Sequence, residues 1–148
     1  MDISLLSIAT RTRSETHDPA LRLYLERIGG YAPVRQDVYR TENALFEALD
    51  RQRGRTQPIL VLLDSRGKQF TSEQFAQWLG KQRDQGQQII IFAIGPADGW
   101  SENSRKRANL LLSLGPMTLP HELARVVLSE QVYRAFTILS GHPYHTGH

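Results

Sequence analysis

The residues best suited to chemistry lie near the C-terminus, on both sides of one predicted helix. A polar loop, residues 117–121, precedes this helix, and the tail that follows it reads His142-Pro143-Tyr144-His145. Imidazole and phenol groups form hydrogen bonds and transfer protons, and an imidazole does so near neutral pH. Core packing seldom requires such groups in immediate succession. The pattern indicates a site assembled at the C-terminus, on the end of a helix.

Three loops follow apolar stretches that have the character of strands, and each is suited to binding a ligand. The first loop begins at Leu63-Asp64, the second is residues 95–99, and the third is residues 115–120. In open α/β sheets, ligands bind at the carboxyl ends of the strands. A small-molecule pocket is therefore the first hypothesis, although Gly and Pro in such loops often serve only as turns. Neither a Gly-x-Gly-x-x-Gly fingerprint nor a Walker A motif is present in the sequence.

Charged residues on the last predicted helix have two interpretations. Glu130 and Arg134 are four residues apart, and an ion pair along the helix is their ordinary role. Arg125 and Arg134 could instead bind phosphate or a nucleobase, because guanidinium groups do both. The chain has eighteen Lys and Arg against fifteen Asp and Glu, a net charge of +3. Most of this positive charge is arginine, which leans towards RNA, but charge alone leaves a merely soluble surface equally open.

The spacing of the histidines gives little support for a metal centre. His142, His145 and His148 are three residues apart, but no carboxylate or second ligand cluster accompanies them, so we expect no metal. His121 begins a helix, where capping or a hydrogen bond to the loop is the ordinary role. Asp64 with a distant histidine would suit hydrolysis, but no serine lies in a nucleophile-elbow motif.

Length and composition are those of one soluble domain. The 148 residues are 40% apolar, enough for a single core. No run approaches the roughly 18 apolar residues that a membrane helix needs, and no basic segment precedes an apolar one at the start. We therefore expect neither a membrane span nor a signal peptide. Cysteine is absent from the sequence, which is compatible with a reducing cytoplasm, and we expect a cytoplasmic protein.

The elements that must position these loops alternate between strands and helices. Apolar or alternating runs predict strands at residues 3–8, 34–38, 59–63, 89–94 and 110–114. Capping patterns predict helices that begin near Asp18, Thr41, Thr71, Ser101 and Glu122. The pattern has Asp64 end the third strand and residues 65–68 form a turn. Such alternation predicts an α/β fold: a parallel-rich sheet with helices on both faces, in one domain over residues 1–148.

The final predicted helix, about residues 122–139, is apolar on more than one side. Its main stripe is extended near the start by further apolar residues, namely Leu123, Val126 and Val127. A helix of this kind packs on its own sheet and also on a partner. We favour a homodimer through this helix, with a simply well-buried helix as the alternative.

Several segments of the sequence, taken in order, resemble one known family. The C-terminal ones are Leu112-Ser113-Leu114, residues 117–121, Arg125, residues 130–135 and Pro143-Tyr144-His145; upstream ones are Leu63-Asp64, Gly67-Lys68, Ser72-Glu73, Phe75-Ala76, Phe92 and Ile94-Gly95. Together they resemble the RlmH family, SPOUT-class methyltransferases that modify N3 of a pseudouridine in 23S ribosomal RNA. The clear resemblance runs from about residue 60 to residue 145, over half of the chain.

The resemblance implies a SPOUT fold with a C-terminal trefoil knot over about residues 60–148. It implies S-adenosyl-L-methionine as the cofactor, held bent in the knotted loops. It also implies a homodimer, in which one subunit's cofactor pocket is completed by the other subunit's C-terminal tail. By position, the cofactor residues would be Leu63, Gly95, Pro96, Gly115, Pro116, Met117, Thr118, Leu119 and Pro120.

The chemistry of such a reaction gives three residues hypothetical roles. A sulfonium methyl group is already activated, so the protein mainly aligns the donor with the acceptor nitrogen. The N3 proton must leave, and His145 is the candidate base, oriented by Tyr144. Arg134 would hold RNA phosphate or the uracil edge. A domain of this size has little surface for reading an RNA sequence, so an assembled ribosome is a plausible substrate.

Two other functions remain open at this point. A second glycine normally follows Gly95 in the family, whereas this chain has Pro96, which lacks an N–H and has a fixed φ. A dimeric RNA- or ribosome-binding module with weakened catalysis is therefore the alternative. A small-molecule enzyme of unrelated mechanism is the third, and we find no motif for it.

Overall fold

The computed structural model describes residues 1–9, 18–52, 54 and 56–147, and its centre is a five-stranded sheet. The strands are β1 (Asp2–Ile8), β2 (Val34–Tyr39), β3 (Ile59–Gln69), β4 (Ile89–Ile94) and β5 (Leu110–Ser113). Their order is β2-β1-β4-β3-β5, and every neighbouring pair is parallel. Parallel pairing needs crossover connections, which the helices between the strands supply. The expected parallel sheet is confirmed.

Helices cover both faces of this sheet, as the alternating pattern predicts. They are α1 (Pro19–Gly29), α2 (Glu42–Arg51), α3 (Ser72–Asp84), α4 (Glu102–Arg107) and α5 (His121–Ser140), followed by a 3-10 turn (His145–Gly147). One core cluster joins the sheet to α1, α3 and α5 around Phe92, and a second joins its other face to α2 around Leu62. Strand residues such as Val61 and Leu62 are buried on opposite faces, which explains the continuous apolar runs.

Helix α3 begins where the capping pattern places it. The Thr71 hydroxyl accepts the backbone N–H of Gln74 at 3.1 Å, and the Gln74 side chain accepts the backbone N–H of Thr71 at 2.9 Å. This reciprocal arrangement satisfies two backbone donors that the first helical turn leaves without partners. The first turn of α3, which includes Glu73, is therefore held at a defined place beside the sheet.

The prediction that Asp64 ends the third strand and that residues 65–68 form a turn is wrong, because β3 continues to Gln69. Leu63 pairs with Leu112 of β5, and the next paired residue of β3 is Lys68, so the intervening residues form an irregular bulge. A Cβ atom at Gly67 would lie 2.6 Å from the carbonyl group of Leu111. The residue types at 65–68 are typical of a turn, and they gave no indication that the strand continues. Its continuation depends on pairing with β5, which lies more than 40 residues away in the sequence.

Helices α4 and α5 differ only in length from the expected ones. Helix α4 ends at Arg107 rather than near Asn109. Asn109 leaves the helix because it exchanges hydrogen bonds with the backbone of Leu60, at 2.7 and 2.8 Å. Helix α5 packs closely on α3, where a Cβ atom at Gly80 would meet the Leu139 side chain at 2.8 Å. Within the described residues, no helix is long and apolar enough to cross a membrane.

Candidate active site

A cleft of about 730 Å³ opens at the bulge of β3 and at the carboxyl ends of β4 and β5. Its walls are Leu63, Asp64 and Ser65 of the bulge, the loops that follow β4 and β5, and the first turn of α5. This volume lies within the roughly 300–1,000 Å³ of typical small-molecule sites. The cleft therefore lies at the sheet edge where α/β proteins bind their ligands.

Most of the residues predicted to bind a cofactor meet in this cleft. Eight of the nine line it: Leu63, Gly95, Pro96, Gly115, Met117, Thr118, Leu119 and Pro120. The ninth, Pro116, is exposed and is not among the lining residues. The fold thus brings distant loops together at one place, while the binding role of each residue stays a prediction.

Trp100 forms part of this cleft, although the sequence pattern did not indicate it. Its indole N–H donates to the carbonyl oxygen of Leu63 at 3.0 Å. Its ring packs so closely on Gly95 that a Cβ atom there would lie 2.7 Å from it. Glycine at position 95 is therefore required by packing. The one available signal was a large aromatic residue directly after Gly99 in a loop that leaves a buried strand.

A nearly buried ion pair forms another wall of the cleft. The Asp64 carboxylate, with its side chain 4% exposed, accepts from Arg105 Nε at 2.7 Å and from the backbone N–H of Arg66 at 2.9 Å. Arg105 also binds Glu102 at 2.7 Å. Buried charges are tolerated when they are paired and hydrogen-bonded. Asp64 therefore holds α4 against the bulge of β3, and its described contacts are those of an ion-pair partner.

Gly115 gives the cleft a backbone surface. Its φ of +129° lies in the region that favours glycine, and a Cβ atom there would have nothing within 4 Å. Ser113 supports this turn by accepting the N–H of Gly115 at 3.1 Å. Apolar side chains from Leu114 and Leu119 lie in the same cleft. Backbone polar groups beside apolar side chains suit a ligand that carries both polar and apolar parts.

The three predicted reaction residues lie together in a second place, around Glu130. Arg134 binds the Glu130 carboxylate through Nε at 2.9 Å and Nη2 at 2.5 Å, and the Tyr144 hydroxyl donates to the same carboxylate at 3.0 Å. The ordinary ion pair expected for Glu130 and Arg134 is therefore present. His145 lies 2.9 Å from Arg134 Nη1 through Nδ1 and 2.6 Å from Glu73 through Nε2. Glu73 is the member of this group that the sequence pattern did not indicate.

The environment of the tail changes the acid strength of three of these groups. Burial raises the pKa of Tyr144, and its hydrogen bonds with Tyr24 and Glu130 add to the effect. The hydrogen bond with His145 lowers the pKa of Glu73, and the hydrogen bonds that Arg134 donates to Glu130 raise the pKa of Arg134. The tail is therefore a connected polar network in which Tyr144 keeps its proton and Glu73 and Arg134 keep their charges.

Aromatic packing holds the tail on α5. The ring of Tyr144 meets that of Tyr133 edge to face at 4.8 Å, and the guanidinium of Arg134 lies 5.1 Å from the Tyr144 ring. On the other side, Arg27 of α1 lies 6.0 Å from the Tyr144 ring. Such contacts contribute on the order of 0.5–1.5 kcal/mol each beyond area burial. They give the short tail a defined position next to α1 and α5.

The cleft and the tail of one chain do not meet. Ala124 is the residue farthest along α5 that lines the cleft, and Arg134 lies ten residues further (124 to 134). Ten residues of α-helix span about 15 Å. None of Arg134, Tyr144 and His145 is among the cleft's lining residues. Reacting atoms must approach to about 3–3.5 Å, so one chain in this arrangement holds two separate half-sites.

The remaining candidate residues have other positions. Arg125 is 5% exposed, so it does not offer a surface to RNA in this arrangement. His121 lines the cleft, and α5 begins without a side-chain cap. His142 Nδ1 accepts the backbone N–H of Tyr144 at 3.1 Å. His148 lies outside the described residues, within which no group of three possible metal ligands occurs.

Comparison with known proteins gives a consistent set of relatives. The model of a family described as predicted SPOUT methyltransferase matches residues 1–145. The chain is 57% identical over 125 residues to a ribosomal RNA large subunit methyltransferase H of Koribacter versatilis, covering 84% of this chain and 85% of that protein. It is 46% identical over 127 residues to one of Rhizobium leguminosarum, covering 86% and 79%.

One solved structure has the same fold at low identity. A probable methylase family protein from Haemophilus influenzae aligns with a TM-score of 0.55 and 11% identity, over 99% of this chain and 69% of that one. At this identity the likeness bears on the fold alone. The doubly covered parallel sheet described above is therefore an arrangement already seen in a solved protein.

Proposed function

Because the chain belongs to the SPOUT methyltransferase family, we propose that it transfers the methyl group of S-adenosyl-L-methionine to N3 of a pseudouridine in large-subunit ribosomal RNA. The matched region, residues 1–145, includes both the cleft and the tail. The names of the two bacterial relatives support ribosomal RNA of the large subunit as the substrate. Assembled ribosomes in the cytoplasm are the substrate that we favour, and the C-terminal knot stays a prediction.

The observation that carries the proposal is the separation of two ordered half-sites on one chain. A second subunit with its tail at the first subunit's cleft would bring them together, so we propose a homodimer. Apolar side chains beside the cleft support this, since Met117 is 82% exposed and Leu123 is 47% exposed. Large apolar side chains left exposed within one short segment favour a surface for association. In a twofold dimer each subunit would supply one cleft and one tail.

The cleft suits the cofactor by its shape and chemistry. When bound, S-adenosyl-L-methionine supplies an activated methyl group on a sulfonium sulfur. Leu63 and Leu119 would contact its apolar parts, while the backbone at Gly95 and Gly115 would bind its polar edges. Trp100 closes the floor between β3 and β4, which keeps water from that side of the cleft.

The residues of the tail and Arg134 would act on the base that receives the methyl group. His145 would accept the proton of N3, since an imidazole is an effective base near neutral pH. Tyr144 would keep the tail in place through Glu130 and Tyr133. Arg134 would hold the base or a phosphate, because its Nη1 contacts a ring nitrogen of His145 and not a carboxylate.

Methyl transfer to ribosomes tests the proposal. Purified ribosomes with and without the pseudouridine are incubated with the protein and labelled S-adenosyl-L-methionine. We expect label in large-subunit RNA only where the pseudouridine is present. Product on neither kind of ribosome would overturn the assigned activity.

A catalytically weak RNA-binding module is the alternative, and Pro96 favours it. Pro96 lines the cleft and has no N–H to donate, while its carbonyl accepts the N–H of Gly99 at 2.9 Å. The turn of residues 96–99 therefore forms, but its first residue has no backbone N–H to donate to a ligand. Calorimetry distinguishes the two: we expect micromolar binding of the cofactor, and no heat at millimolar ligand would favour the binding module.

A further inference from the structure

The two ring nitrogens of His145 have partners of opposite chemical character. A guanidinium can only donate hydrogen bonds, so Nδ1, at 2.9 Å from Arg134 Nη1, must be the acceptor. Nε2 lies 2.6 Å from the carboxylate of Glu73, which can only accept when ionised. The hydrogen therefore lies on Nε2, and the partners select one tautomer of a neutral ring.

Glu73 is attached to a more rigid element than the histidine it contacts. It lies in the first turn of α3, next to the capping box formed by Thr71 and Gln74. His145, by contrast, lies in the last turn of the described chain. The carboxylate therefore gives the ring a reference point on the body of the protein. Its lowered pKa, caused first by the His145 hydrogen bond, keeps it ionised at neutral pH.

We propose that Glu73 is a positioning residue, which holds His145 as the Nε2–H tautomer so that the Nδ1 lone pair accepts the N3 proton of the base. The proposal rests on the proposed function and adds to it a residue from α3. A carboxylate that fixes the tautomer of a catalytic imidazole has the same role in hydrolytic triads.

Arg134, next to His145, makes the site selective for one kind of base. Its Nη1 is a donor and His145 Nδ1 is an acceptor, and the two atoms lie side by side at 2.9 Å. The N3–H of a uracil-type base and the carbonyl beside it are a donor and an acceptor in the complementary order. Arg134 stays anchored to Glu130 through Nε and Nη2, so Nη1 can leave Nδ1 for that carbonyl. Arg134 Nη1 and His145 Nδ1 therefore match a base whose ring nitrogen carries a hydrogen beside a carbonyl group. They do not match a base whose ring nitrogen carries no hydrogen, because that nitrogen has no proton for Nδ1 to accept.

The proton transfer balances without another reactant. The N3–H bond would break, and its electron pair would form the bond from N3 to the methyl carbon. The bond from that carbon to the sulfonium sulfur would break with its electron pair left on sulfur, and the proton would bind Nδ1 of His145. The resulting imidazolium lies against the Glu73 carboxylate, which retains its charge and takes no proton. Solvent removes the proton from the ring after product leaves. Arg134, which contacts the same ring, is itself bound to the Glu130 carboxylate, and that carboxylate also accepts from the Tyr144 hydroxyl.

Kinetics of Glu73 variants test the role. In Glu73→Ala we expect kcat on ribosomes to fall about tenfold or more, a part of the roughly 10²–10⁴-fold that a positioned base contributes. The KM for S-adenosyl-L-methionine should stay unchanged, because Glu73 does not line the cleft. The acid limb of the kcat–pH profile should move to lower pH, since the imidazolium loses its carboxylate. Glu73→Asp should recover part of the rate, and Glu47→Gln, an exposed glutamate of α2, is the charge control.

Spectroscopy of the free protein tests the geometry independently of activity. In protein labelled with ¹⁵N-histidine, the His145 signals are identified by their absence in His145→Gln. We expect the Nε2–H tautomer, with a downfield Nε2 proton that exchanges slowly in the wild type and in Glu47→Gln. This proton should exchange rapidly in Glu73→Ala, and thermal unfolding shows whether that variant remains folded.

The outcomes separate this proposal from the proposed function. A wild-type protein with no activity on ribosomes would refute the function, while the spectra would still report on the Glu73 contact. An active wild type with an equally active Glu73→Ala variant would overturn the role of Glu73 alone. An Nδ1–H tautomer in the wild type would also overturn it, because Nδ1 would then have no lone pair to offer.

Discussion

The indole N–H of Trp100 donates to the carbonyl oxygen of Leu63 across 3.0 Å, which ties the loop after β4 to the central part of β3. The bond closes the floor of the cleft between two neighbouring strands. Because the same ring packs on Gly95, one side chain sets the positions of both loops.

Trp100→Phe should weaken cofactor binding while the fold persists. The variant keeps an aromatic ring but loses a hydrogen bond, which is worth about 1 kcal/mol, or about fivefold in affinity. Isothermal titration with S-adenosyl-L-methionine measures the change. Trp78→Phe is the matched control, because Trp78 lies on α3 in the core cluster away from the cleft. Equal affinities of the two variants would contradict a role for Trp100 in the cleft.

Mixing two inactive variants should restore activity if the site is shared between subunits. His145→Ala removes the base from the tail, and Thr118→Arg places a large charged side chain in the cleft at an exposed position. Random exchange gives heterodimers in half of the molecules, each with one intact site, so about a quarter of wild-type activity should return. Methyl transfer after co-refolding measures it. Two inactive variants that stay inactive together, although they exchange subunits, would show that the site is not composite.

The ion pair of Asp64 with Arg105 should stabilise the fold more than an exposed pair of the same kind. Asp64→Asn leaves Arg105, with its side chain 16% exposed, without its buried carboxylate partner, and the carboxylate of Glu102 that remains is 75% exposed. We expect a loss of about 1–3 kcal/mol in the free energy of unfolding. The Asp50 and Arg107 pair, with side chains about half exposed, should contribute at most about 1 kcal/mol. Denaturant unfolding of Asp64→Asn and Asp50→Asn provides the comparison, and equal losses would mean that burial does not strengthen the first pair.

Ionisation of Tyr144 should destabilise the tail at alkaline pH. Burial raises its pKa above the value of a free tyrosine, which means that the fold favours the neutral phenol. This contribution to stability is fully present below the pKa of the unfolded chain, about 10, and is lost as pH rises from there towards the folded value. The tyrosinate absorbance of the wild type minus that of Tyr144→Phe should therefore rise at higher pH than free tyrosine does. A difference curve centred at or below the free value would contradict the buried hydrogen bond to Glu130.

Local patterns determined much of the fold. Continuous apolar runs predict strands such as β4, because a strand covered on both faces must be apolar on both sides. The Thr71 and Gln74 spacing predicts the start of α3, because a capping box is formed by residues three apart. The family resemblance implied nine cofactor residues, and eight of them line the cleft, which lies at the sheet edge where α/β proteins bind ligands. These features need no knowledge of what lies far along the chain.

Only the tertiary structure decided which side chains meet. The partners Leu63 and Trp100 are 37 residues apart, and Glu73 and His145 are 72 residues apart. The bulge of β3 depends in the same way on β5, which offers a backbone partner where turn-forming residues predict an end. The local sequence around Glu73 indicates only a helical first turn. It becomes a partner of His145 because α3 and α5 pack side by side and the tail folds back onto them, and such contacts depend on the packing of whole elements.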